Sequence, residues 1–134
     1  MKLRQKLVAL AATSLVTFGS AAYAGDLYVI SNSGTTVSAS DIREVFLGEK
    51  QFAGSIKLVP VDNAAAQEQF LAKVMKMEAA KYSSSWTKKS FRDGVSPPAV
   101  KGGDADTIEF VKQTAGAVGY VGSSPAGVNV VGKF

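Results

Sequence analysis

The chain has 134 residues, 15 Lys and Arg against 11 Asp and Glu, and neither Cys nor His. Without Cys no disulfide can brace the fold, and without His the commonest general base and the commonest metal ligand are both missing. Lys2, Arg4 and Lys6 fall in the first 24 residues, which hold no acid, so residues 25–134 carry 12 cations against 11 anions, and the basic isoelectric point is no signature of nucleic-acid binding.

Residues 1–24 have the layout of a secretory signal peptide. The three basic residues precede an apolar run over 7–18, and Ala22-Tyr23-Ala24 fits the small-x-small cleavage rule. The apolar run is too short and too interrupted by Thr and Ser to span a bilayer. Cleavage there leaves one domain over 25–134, expected in the periplasm or secreted, with no transmembrane segment after it.

Residues 27–30 are rich in strand formers and predict a first strand, followed by a polar turn over 31–36. Ser38 and Ser40 are both candidate N-caps for a short helix carrying Ile42, Val45 and Phe46, which Gly48 can end in a left-handed conformation. Residues 56–61 predict a second strand, with Pro60 at its end or on a sheet edge because proline has no amide to donate. Asp62 or Asn63 can cap the next helix, whose stripe is Phe70, Leu71, Val74 and Met75. A third helix carries Tyr82 and Trp86. Phe91 opens a loop to Pro97-Pro98, a fourth helix begins at Asp104 or Asp106, and strands follow over 117–121 and 128–131. Strands alternate with helices, so the class is α/β with a small mixed sheet and about four helices. The expected core is Phe46, Phe70, Val74, Trp86, Phe91, Ile108 and Val111, with Tyr120 beside them.

Five phrases then stand in a telling order: DIREVFLGEK at 41–50, a strand ending in Pro60, WTKKSF at 86–91, Pro97-Pro98, and GAVGYVG at 116–122. Together they resemble the second lobe of the periplasmic solute-binding proteins of phosphate ABC transporters. The resemblance covers roughly residues 38 to 122 and implies a single lobe of the type II periplasmic-binding-protein fold. It also implies that the first and last strands, remnants of the crossings between lobes, lie side by side and antiparallel. The family's site lies between two lobes, whereas this chain has room for one. The family's anion loop, Arg-x-Asp-Gly-Ser-Gly-Thr, aligns with Pro60, Val61, Asp62, Asn63, Ala64, Ala65 and Ala66. Asp62 matches, Pro60 stands in place of the Arg, and alanines replace the hydroxyl residues.

The resemblance therefore implies a weak phosphate or other small-anion site at best, formed by helix-start amides at Asn63, Ala64 and Ala65 beside Asp62. Asp62 and Asn63 serve equally as plain helix caps. Ser33, Gly34 and Thr35 form a second loop that could contact the same anion, or simply a turn. Lys88, Lys89 and Arg92 cluster near the proline loop, as a solvated basic edge or as a docking patch for an acidic partner. Ser85-x-x-Lys88 has no companion motif for acyl transfer, and the spaced glycines at 116, 119 and 122 precede a strand instead of following one, so neither indicates catalysis. No metal site or cofactor is expected. Two functions remain open: a small-anion receptor of the transporter type, or an envelope adaptor that binds a protein or a second copy of itself.

Overall fold

A computed structural model of the protein describes residues 25–134; the expected signal peptide over 1–24 lies outside the described residues. Strand β1 (Tyr28–Ser31) is followed by a 3₁₀ turn (Ala39–Asp41) and helix α1 (Ile42–Phe46). A small hairpin, β2 (Phe52–Ala53) and β3 (Ile56–Lys57), leads into β4 (Val59–Asn63). Helix α2 (Gln67–Phe70) continues as a π turn (Leu71–Met75), which ends at Lys76 in the left-handed conformation. Then come α3 (Ala79–Asp93), β5 (Ala99–Lys101), α4 (Asp104–Gln113), β6 (Ala117–Val121) and β7 (Asn129–Lys133).

The main sheet has the order β5-β4-β6-β1-β7. β4 runs parallel to β5 and β6, while β1 runs antiparallel to β6 and β7. The class is therefore α/β with a mixed sheet, as the alternating pattern indicates. β1 and β7 are neighbours and antiparallel, as expected of the first and last strands, and Leu27 and Phe134 exchange backbone hydrogen bonds of 2.9 and 2.8 Å.

Two apolar layers cover the sheet. Phe46, Phe70, Tyr82, Trp86, Val118 and Tyr120 pack with α1, α2 and α3 on one face. Ile30, Val61, Val111, Ala117 and Val121 pack with α4 on the other. Phe70 stacks on Tyr120 at 3.9 Å between centroids, and Phe46 meets Phe70 edge-on at 4.7 Å.

The predicted second strand divides in two. Leu58 breaks the pattern by donating its amide to Gln51, and β4 then runs on to Asn63. Pro60 lies inside a central strand, contrary to expectation. The geometry accommodates it because the β5 ladder begins at the Val61–Ala99 pair, one residue beyond the proline. Gly116 is left-handed, with φ of 83°, and a Cβ there would run into the Lys57 carbonyl.

Phe91 is a second correction. It is 90 % exposed on the last turn of α3 and belongs to no core. α3 extends to Asp93 before Gly94 ends it at φ of 67°. Its buried stripe runs through Tyr82 and Trp86, and Phe91, five residues after Trp86, points about 140° away from it at 3.6 residues per turn.

Candidate functional site

The carboxyl ends of parallel strands are where α/β folds most often bind ligands. Here those ends are Asn63, Lys101 and Val121, with the start of α4 beside them. Asp62 does not cap a helix. It is the fourth residue of β4, 3 % exposed, and its side chain lies on the α3 face. Tyr120 donates its hydroxyl to Asp62 Oδ1 at 2.8 Å, and Tyr82 donates to Oδ2 at 3.0 Å. Burial holds the Asp62 carboxyl above the usual carboxylate range, against the opposing pull of the two hydroxyls. Burial and the charge of Asp62 raise both tyrosines well above their ordinary value, so neither phenol ionises at neutral pH. The trio is a closed, fully bonded structural unit.

Asn63 is fully buried and also occupied. Its Nδ2 donates to the Tyr120 carbonyl at 3.0 Å and to Asp104 Oδ1 at 2.8 Å, and its Oδ1 accepts the Ala65 amide at 3.1 Å. The Ala64 amide donates to the Lys101 carbonyl and the Ala66 amide to the Asn63 carbonyl. Residues 64–66 are a turn, and α2 begins only at Gln67. Asp104, the first residue of α4, also accepts from the Gly122 amide at 3.2 Å and from Ser123 Oγ at 2.9 Å. A carboxylate of the chain itself thus takes the donors gathered at this end of the sheet.

Ser33, Gly34 and Thr35 lie at the opposite end. β1 is antiparallel to β6, so Ser31 faces Val118 near the start of β6, where Val59 pairs with Ala117. Asn63 instead reaches Tyr120 near the end of β6, on the order of 10 Å along the strand. The loop is tied inward: Thr35 Oγ1 accepts the Gly116 amide at 2.8 Å, the Gly34 amide donates to Asn32 Oδ1, and Asn129 Nδ2 donates to the Ser33 carbonyl. The structure does not bring the two candidate anion segments together.

Lys88, Lys89 and Arg92 share the outer part of α3, in unlike states. Arg92 is exposed and pairs with Asp93 at 3.1 Å. Lys89 Nζ lies 3.6 Å from Asp93, while its alkyl stem lies against Gly48. Arg92, with help from Lys89, holds the Asp93 carboxyl below its usual range. Lys88 is exposed and makes no ion pair among the described residues.

Two clefts flank the 94–98 segment. The larger, about 510 Å³, opens at the amino end of β4, between the end of α1, β3 and the end of α3. Lys50, Lys57 and Lys89 line it, Trp86 contributes to its wall, and Pro97 and Pro98 form its far side. Sequence reasoning missed Lys50 and Lys57, which lie 39 and 32 positions before Lys89 and have no local pattern linking them to it. The smaller cleft, about 450 Å³, has Asp62 and Tyr82 at its base and the exposed Phe91 and Val100 at its rim. Among the described residues no group of three or more His, Cys, Asp or Glu is placed to hold a metal ion. No helix there is long and apolar enough to cross a membrane.

No protein-family model matches the chain, and no curated protein matches it. Among solved structures it is similar to an ABC-type phosphate transport receptor from Vibrio cholerae, at 15 % identity over 78 % of this chain, with a TM-score of 0.48. The chain spans 44 % of that receptor's length.

Proposed function

We propose that the protein is an exported, non-catalytic binding domain, a single lobe of the solute-receptor type over residues 25–134, whose ligand face is the surface around the 94–98 segment. The observation that carries this reading is the contrast in hydrogen bonding. The strand-to-helix turn at Asp62, Asn63, Ala64 and Ala65 is satisfied from within, whereas the 510 Å³ cleft at the amino end of β4 is open and lined by three lysines. Phosphate receptors need converging donors, and the amides of Ala64 and Ala65 already have partners. Inorganic phosphate should therefore bind with a dissociation constant weaker than about 100 μM, or roughly −5.5 kcal/mol. Calorimetry of the purified protein against phosphate and sulfate tests this, and a submicromolar constant for phosphate would falsify it.

A second reading is favoured by the exposed Phe91 and Val100, which are 90 % and 60 % exposed on adjoining elements. On this reading the same surface docks an envelope protein or a second copy of the chain, with Lys88 and Arg92 at its margin. Sedimentation of wild type and Phe91→Ser at high concentration separates the cases. Self-association lost in the variant supports docking of a second copy, and a monomer at all concentrations rules that out.

A further inference from the structure

We infer that the lysine-lined cleft binds small carboxylates that carry an apolar body. This deepens the binding-domain reading and rests on it. Three features converge on that ligand class.

The first is charge. Lys50, Lys57 and Lys89 line the cleft, and no Asp or Glu does. Lys50 is held 2.9 Å from Asp41 and Lys89 3.6 Å from Asp93, so two of the three cations have partners outside the lining. Lys57 is exposed and makes no ion pair among the described residues, which leaves the cleft with net positive charge.

The second is the wall. The rest of the lining is mostly apolar, with Leu58, Pro60, Trp86 and Pro97 among it. Gly48 brings the end of α1 against Trp86 and Lys89: with φ of 72° and a would-be Cβ 2.7 Å from the indole, no other residue fits there without displacing them. Leu58 and Trp86 are packed into the core behind the cleft, while Pro60, Val95 and Pro97 remain accessible. A bare oxyanion would leave that accessible apolar surface uncovered, whereas an aliphatic chain would cover it.

The third is the type of cation. Lysine offers a point charge on a flexible stem, and the cleft has no Arg to grip a phosphate in two places. A single carboxylate is well matched to one ammonium. The volume, about 510 Å³, is within the range for small-molecule sites, roughly 300–1,000 Å³.

Trp86 is the only tryptophan in the chain and lines both clefts, so its emission reports on ligand at either, and Lys57, which lines the lysine cleft alone, tells the two apart. The experiment titrates the purified protein with octanoate, 1-octanol, acetate and inorganic phosphate, following that emission, with circular dichroism to confirm folding. Octanoate is expected to give a saturable change at least tenfold tighter than octanol, acetate or phosphate. Lys57→Glu should weaken octanoate binding at least tenfold, and Lys57→Arg should retain it. No saturable change with octanoate, equal binding of octanol or acetate, or an unchanged constant in folded Lys57→Glu would each overturn the inference. Failure with octanoate alongside weak phosphate binding removes this ligand class alone. Submicromolar phosphate binding would instead overturn the weak-phosphate expectation of the binding-domain reading itself.

Discussion

The two ends of β4 differ in whether the fold supplies partners for the polar groups gathered there. At its carboxyl end, Asp62, Asn63 and the amides of residues 64–66 are bonded to Tyr82, Tyr120, Asp104, Lys101 and one another. At its amino end, Lys57 faces an open cleft and makes no ion pair among the described residues, beside Lys50 and Lys89, which pair with Asp41 and Asp93. A polar group contributes to stability when the fold supplies its partner and to recognition when a ligand must. Substitutions at the first end should therefore register as lost stability, and substitutions at the second as lost binding.

The largest effect should come from the layer beneath the closed end. Phe70 is fully buried and stacked on Tyr120, which in turn holds Asp62. Phe70→Ala is expected to cost about 3–5 kcal/mol in urea denaturation, by lost burial and a cavity. A midpoint within error of wild type would show that the aromatic layer does not support this end.

Asp62 comes next. Asp62→Ala leaves two buried tyrosine hydroxyls without an acceptor and should cost about 2–4 kcal/mol. Asp62→Asn keeps an acceptor and removes a buried charge, so it should cost far less. The pH dependence follows from the raised carboxyl. The folded state takes up a proton at higher pH than the unfolded chain, whose value is near 3.8. This group's contribution is therefore least favourable at neutral pH and improves as pH falls through the raised value toward 3.8. Asp62→Asn should lack that improvement. Parallel stability–pH curves for wild type and Asp62→Asn would break the assignment.

The smallest stability change should be at the open end. Lys57→Glu is expected to shift unfolding by less than about 0.5 kcal/mol while impairing octanoate binding. A loss above 1 kcal/mol in thermal or urea melts would mean that Lys57 serves the fold after all, and the contrast between the two ends would collapse.

Much of the fold was legible because it depends on local pattern. Ile42, Val45 and Phe46 marked α1 by helical spacing, and Gly48 ended it with positive φ as its position suggested. The pairing of the first and last strands followed from the resemblance to a receptor lobe and is observed. Phe91 was misread because the length of α3 decides its direction: carried to Asp93, the helix turns Phe91 outward. By sequence either Asp62 or Asn63 suits a helix cap, because a short polar pair before alanines usually supplies one. Only the fold reveals Tyr82 and Tyr120, 20 and 58 positions away, as partners that hold Asp62 in the strand.

The candidate site divides along the same line. Residue types alone show that the chain has no His or Cys to serve as base or nucleophile and that the segment 62–66 holds neither Arg nor a hydroxyl residue. Where the chain's polar groups find partners was decided by tertiary structure. Asp104 reaches Asn63 across 41 positions, and Lys50, Lys57 and Lys89 meet around one cleft because the β2–β3 hairpin and the end of α3 both stand beside the start of β4. Local sequence sets backbone preference within a few residues, whereas hydrogen bonds and charge clusters depend on distances in space, which the sheet order sets.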